Sequence, residues 1–305
     1  MKRTLCVILI CVFILLPGCS QTARKTVFAM DTVMDLQLWG PGSGDALRAV
    51  EAMIVETEQK WSAHREDTFI SALNRCEPVD EPLVDRVLQM WERTGGAFDP
   101  RLSALVQLWG FTEETPSVPT DAQIEEARQQ KLWDLGGAVK GYAGQQAADY
   151  LQTTGVTHGI LNLGGNVQTY GDKPDGTPWS IAIQNPAGGD PLGVVSVVGT
   201  MAVVTSGDYQ RYFEHDGIRY HHVLDPETGK PARSGVTSVT VICRDGLTAD
   251  CLSTALFVLG LEQGSALWRG SDDFEAVFVL ESGKIYATEG AALSGCEYEV
   301  IAREN

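Results

Sequence analysis

The chain has 305 residues, 44% hydrophobic and 21% charged, with 23 basic against 40 acidic side chains and a formal net charge of −17. So acidic a balance, spread rather than blocked, describes a solvated surface and argues against nucleic acid or anionic lipid headgroups as partners. There is no repeat, low-complexity tract or long linker, and the length suits one large domain or two intimate ones.

The first residues carry an address rather than a fold. Lys2 and Arg3 precede an apolar run, residues 5–16, that is too short to span a bilayer comfortably. The run ends in Leu16-Pro17-Gly18-Cys19, which is similar to a bacterial lipobox. The expectation is a signal over 1–18, a lipidated Cys19 at the head of the mature chain, a tether over 19–27 and a domain over 28–305. The protein would then be exported and held by lipid on the extracytoplasmic side of the cell membrane; the alternative is an uncleaved signal anchor. Loss of Lys2 and Arg3 would take the formal charge from −17 to −19. The cysteines that remain are Cys76, Cys243, Cys251 and Cys296; Cys243 and Cys251 sit in apolar segments and read as buried thiols, with a disulfide in an oxidising compartment as the alternative and no pairing legible.

Helical periodicity is predicted over 46–60, 84–95 and 122–130, with loops at 40–44 and 115–119. A glycine-rich turn, Trp133-Asp-Leu-Gly-Gly-Ala-Val-Lys-Gly-Tyr-Ala143, opens a helix to about residue 151. Strands are predicted at 159–163, 179–184, 193–198, 201–205 and 238–243. A helix capped by Thr248 then runs to Gly260, a second follows over 261–269, and strands come at 276–280 and 284–287. The fold class is mixed α/β or α+β, a central sheet flanked by helices.

Two places carry chemistry. Asp250 and Thr254 are four residues apart, so their oxygens share one helix face and could meet a hard cation such as Mg²⁺. Helix capping plus packing is the other reading of that pair. Gly136 and Gly137 precede a helix that also carries Lys140, which suits a phosphate, although a plain tight turn reads the same way and no Walker or GxGxxG loop is present. His221 and His222 are adjacent, so on a strand only one can face a site, and a His–His metal pair is ruled against.

In chain order, Phe28-Ala-Met-Asp-Thr32, Gly96-Ala-Phe-Asp99, Asp134-Leu-Gly-Gly-Ala-Val-Lys-Gly-Tyr142, Asn162-Leu-Gly-Gly165, Thr205-Ser-Gly207, His222-Val-Leu-Asp-Pro-Glu-Thr-Gly229 and Thr248-Ala-Asp-Cys-Leu-Ser-Thr254 resemble the motif series of the ApbE family, bacterial FAD:protein FMN transferases. The resemblance implies a single domain that takes FAD as substrate with Mg²⁺. The metal would be held by Asp250, Thr254 and the carbonyl of Gly137. FAD would be held by Met30, the Ala97-Phe98-Asp99 segment, Asp134, Lys140, His222 and Val223, with His64 standing where the family often has Tyr. Asp250 and Lys140 would carry the catalysis. The implied reaction moves FMN to a Ser or Thr hydroxyl of exported acceptor proteins that carry a flavinylation motif, such as subunits of membrane electron-transport complexes, and releases AMP. An FAD pyrophosphatase and a non-catalytic flavin-binding lipoprotein are the alternatives. Asp31 and Arg101 depart from the usual Gly and Thr, and Asp245-Gly-Leu-Thr248 is similar to the acceptor motif itself.

Overall fold

The computed structural model describes residues 21–111 and 113–303, so Cys19 and the signal expected over 1–18 lie outside the described residues. The chain opens with a hairpin, β1 (Thr22–Ala29) and β2 (Thr32–Trp39), paired antiparallel from Thr22↔Trp39 to Ala29↔Thr32. The tether expected up to residue 27 is therefore strand from Thr22 onward. Met34, Leu36 and Leu38 alternate into the core, and β1 covers the same layer with Val27 and Ala29. The two-residue turn puts Met30 and Asp31 at φ 50° and 56°. That is the left-handed pair a tight hairpin demands, and Asp tolerates it, which explains how Asp31 replaces the family's glycine.

Six helices follow: α1 (Ser43–Trp61), α2 (Phe69–Asn74), α3 (Pro82–Arg93), α4 (Ser103–Trp109), α5 (Asp121–Gln129) and α6 (Val139–Leu151). Then come β3 (His158–Asn162), β4 (Asn166–Tyr170), β5 (Trp179–Ile183), β6 (Gly193–Val197), β7 (Ala202–Gly207), β8 (Tyr212–His215), β9 (Ile218–His221) and β10 (Val236–Cys243). The chain closes with α7 (Gly246–Arg269), β11 (Phe274–Leu280), β12 (Ile285–Thr288), β13 (Leu293–Ser294) and β14 (Glu299–Ile301). One nine-stranded sheet runs β1-β2-β3-β4-β7-β10-β11-β12-β14, joined by a smaller β13-β6-β5 sheet and the separate β8–β9 hairpin. Its pairings are antiparallel apart from β12–β14, which makes the fold mixed in the α+β manner.

α7 is the buried axis of the molecule. Leu247, Leu252, Ala255, Leu256, Phe257 and Trp268 are all inaccessible, as expected of a helix apolar on most of its circumference. Its cap is Asp245, not Thr248: the Asp245 carboxylate accepts the Thr248 N–H at 2.8 Å, which makes Thr248 the third helical residue. Gly260 does break the helix, at φ 74° and ψ −174°, and the two halves continue on either side.

α6 crosses α7 where two glycines meet. A Cβ on Gly141 would stand 2.1 Å from the Gly246 carbonyl oxygen and 2.6 Å from Asp250 Cβ; one on Gly246 would stand 2.4 Å from the Gly141 oxygen. Backbone cannot yield like a flexible side chain, so Gly141→Ala forces the helices apart. We expect it to cost about 1–3 kcal/mol of stability, read as a lower urea midpoint.

His221, on β9, is 2% exposed, donates Nε2–H to the Ala232 carbonyl at 3.0 Å and meets Phe257 edge-on. Its Nδ1 is buried without a partner, and burial pushes the imidazole down to about 4. The unfolded chain takes up this proton near the ordinary histidine value of about 6.5, whereas the fold refuses it until about 4. Stability should fall as pH drops through that window, by at most about 1.4 kcal/mol per unit from this group. Urea midpoints at pH 7 and pH 5 should lie closer together in His221→Phe than in the parent.

Candidate active site

The glycine turn and the head of α7, more than a hundred residues apart, form one locus. Asp250 is 4% exposed, and its Oδ2 accepts the Gly141 N–H at 2.8 Å. That amide belongs to the first turn of α6 and has no partner within its own helix, so the Asp250 carboxylate closes the α6 N-terminus from outside. Among the described residues, no Lys, Arg or His nitrogen lies within 4.0 Å of the carboxylate, and Oδ1 accepts no hydrogen bond. One turn along α7, Thr254 faces the glycine turn: a Cβ on Gly137 would lie 3.3 Å from Thr254 Oγ1 and 3.5 Å from the Phe98 ring. Thr254, Gly137 and Phe98 are therefore neighbours, with Asp250 one turn back on α7 against Gly141.

The turn is held from several sides. The Asp134 carboxylate accepts the Gly136 N–H at 2.7 Å, and the Asp134 N–H reaches the Pro100 carbonyl at 2.8 Å. Asn74, at the end of α2, accepts the Trp133 N–H at 2.7 Å. Lys140 stays beside the turn, its Nζ donating to the Gly136 carbonyl at 3.4 Å. On the opposite wall, half-buried His222 donates its backbone N–H to the Arg211 carbonyl, and its imidazole is driven down to about 3 by burial, Arg211 and then Lys140. It is therefore neutral at working pH, and its Nδ1 is buried without a hydrogen-bond partner. The other histidine of the pair, His221, is spent on Ala232. Val223 is buried beside it and gives its carbonyl to the Ala232 N–H.

The hairpin turn joins this rim. Met30 donates its N–H to Glu58 Oε1 at 2.9 Å, and Arg211 reaches the Asp31 carbonyl at 3.4 Å. Thr32 packs onto Gly164, where a Cβ would stand 2.3 Å from the threonine hydroxyl. Ala97 and Phe98 lie along the core, but the Asp99 carboxylate is already engaged: Arg101 donates to it from N–H and Nε, both at 2.9 Å, and Lys131 stands 3.6 Å away. Arg101 in place of the family's Thr thus neutralises Asp99 and stacks over Trp91 at 4.4 Å. His64 is exposed after α1, its N–H on Ser62 Oγ, with no hydrogen bond to the other site residues.

Two features were missed in the sequence. Arg86 on α3 places Nη2 at 2.7 and 2.8 Å from the two Asp245 oxygens, and Gln145 on α6 accepts the Gly246 N–H at 3.0 Å, so the α7 head is pinned from two helices. The Asp-x-x-Thr spacing could have disclosed the cap. Those contacts also end the acceptor reading of Asp245-Gly-Leu-Thr248, which is helix start. Ser206, quoted in a motif without a role, contacts both Ser253 at 2.8 Å and Thr254 at 3.4 Å.

Comparison with known proteins gives the chain a family. The ApbE family profile matches residues 30–278. The FAD:protein FMN transferase of Vibrio cholerae is 32% identical over 293 residues, covering 83% of this chain and 87% of that one. The Treponema pallidum protein of the same name is 32% identical and covers 80% of each chain. Among solved structures, the ApbE protein of Thermotoga maritima superposes with a TM-score of 0.81 at 33% identity, over 88% of this chain and 97% of that one. The flavinyl transferase ApbE of Pseudomonas stutzeri, apo form, gives 0.72 at 31% identity, over 90% and 93%. With the profile spanning most of the chain, relatives of the same name covering four fifths of it or more and the fold in agreement, the chain belongs to the ApbE family.

Proposed function

We propose that this protein is an FAD:protein FMN transferase that moves FMN from FAD to a Ser or Thr hydroxyl of an exported acceptor protein and releases AMP. The observation that carries the reading is the Asp250 carboxylate, buried against the α6 N-terminus with one oxygen unbonded and no cationic partner. A carboxylate oxygen left free at such a crossing is available to a hard cation. Asp250, Thr254 and the Gly137 carbonyl would give an oxygen-only donor set, of the kind that suits a hard divalent cation. These three would hold Mg²⁺, which when bound supplies Lewis-acid neutralisation of the pyrophosphate oxygens.

The remaining steps belong to the chain's own residues. Lys140 adds a fixed positive charge beside the turn for the negative charge that grows on the phosphates. His222, neutral and with Nδ1 unbonded, offers a hydrogen bond to FAD without competing for the cation. Met30, Phe98 and Val223 supply apolar and backbone contact for the flavin end. The acceptor oxygen forms a bond to the FMN phosphorus, the bond from that phosphorus to the AMP oxygen breaks, and the hydroxyl proton is released. Lipidation at Cys19 and an extracytoplasmic location complete the proposal; they suit an enzyme whose product must keep its flavin outside the cell by a covalent bond.

Asp250→Ala should lower FAD cleavage by at least about a hundredfold while FAD still binds, because the lost interaction matters most as charge develops. AMP release against flavin-fluorescence titration separates the two. Near-parental turnover would reduce Asp250 to a helix cap. With FAD, Mg²⁺ and an acceptor domain, we expect a fluorescent protein band that survives denaturation and AMP in equal amount. AMP with free FMN and an unlabelled acceptor would favour the pyrophosphatase.

A further inference from the structure

Four oxygens link β7 to α7. Ser253 Oγ donates to the Asp250 carbonyl at 2.9 Å, Ser206 Oγ lies 2.8 Å from Ser253 Oγ, and Thr254 Oγ1 lies 3.4 Å from Ser206 Oγ. Each hydroxyl owns one proton, and a carbonyl owns none. Ser253 has spent its proton on Asp250, so in its contact with Ser206 it can only accept. Ser206 must then donate to Ser253, and its own oxygen is left to accept from Thr254. Every proton in the row points the same way, from Thr254 toward the Asp250 carbonyl. Ser253 is fully buried, so no water competes at the middle of the chain.

We infer that Ser206 and Ser253 are positioning residues that orient the Thr254 hydroxyl, turning its proton toward β7 and leaving its lone pairs on the side that faces Gly137. This rests on the reading of Asp250, Thr254 and Gly137 as a cation site. A threonine ligates a hard cation through its oxygen lone pairs, so a proton aimed at the cation would oppose binding. The row removes that orientation before the cation arrives. It also runs from one member of the donor set to another: it begins at Thr254 and ends on the main chain of Asp250, so both keep a fixed relation across one turn of α7.

The test is Mn²⁺ binding by the full-length protein in detergent, followed by electron paramagnetic resonance of the free ion, with thermal unfolding of the metal-free protein measured alongside. Ser206→Ala deletes the acceptor for the Thr254 proton and should weaken Mn²⁺ binding about tenfold, in the range of lost outer partners of metal ligands. Ser206→Thr keeps the hydroxyl and should restore the affinity. Ser253→Ala leaves Ser206 free to donate toward Thr254, which turns the row round, and should weaken binding as Ser206→Ala does. Parental affinity in both alanine variants, with binding abolished in Asp250→Ala, overturns the row while the cation site stands. Affinity that falls only in proportion to lost thermal stability, with no rescue by Ser206→Thr, makes the serines plain packing. A parent that takes up no Mn²⁺ overturns the row and the cation site together.

Discussion

The close approach of α6 and α7 is the constraint on which the rest depends. Gly141 and Gly246 allow the two backbones to touch, and a methyl group on either would collide with a carbonyl oxygen. Only at that distance can the Gly141 N–H, an amide with no acceptor inside α6, meet the Asp250 carboxylate at 2.8 Å. The same crossing lays the turn that carries Gly137 and Lys140 along the face of α7 that carries Thr254. One steric allowance thus produces a burial, a hydrogen bond and a donor set at once.

Two aspartates five residues apart on the head of α7 show how environment divides labour. Asp245 is partly exposed, caps its own helix and is neutralised by Arg86. Asp250 is buried and satisfies the neighbouring helix with one oxygen only. Asp245 fixes where α7 begins, and Arg86 and Gln145 fix that start against α3 and α6. Asp250 can then be held in place by the frame instead of by a counter-charge of its own.

Much of this was legible in the residues. The i, i+4 spacing placed Asp250 and Thr254 on one face because helix geometry is local, and the β-rich run of residues 238–243 marked β10 through local propensity. The family motifs supplied their convergence with Gly137, which spacing alone could not, since 109 residues separate Gly141 from Asp250. The opening hairpin was missed although Met34, Leu36 and Leu38 alternate; lying so close to a lipobox, β1 was read as tether. The cap was misplaced by three residues because Asp and Thr are both good N-caps; the Asp245 carboxylate on the Thr248 N–H shows which one starts the helix, and Arg86 holds it there. The link from Ser206 to Thr254 depends on β7 lying beside α7, which no local pattern encodes.

Lys140 shows why the frame matters for chemistry. Had its ammonium paired with Asp250, the protein would have cancelled its own buried charge and left nothing to attract a divalent cation. Its Nζ instead rests on the Gly136 carbonyl, on the solvent side of the turn. Among the described residues the carboxylate has no cationic partner and the lysine pairs with no carboxylate. The two opposite charges stay unpaired because the Gly141 amide bonds the carboxylate at the helix crossing while the lysine is held on the Gly136 carbonyl. On the proposed reading a metal-bound pyrophosphate would satisfy both groups together, whereas either half alone would satisfy one.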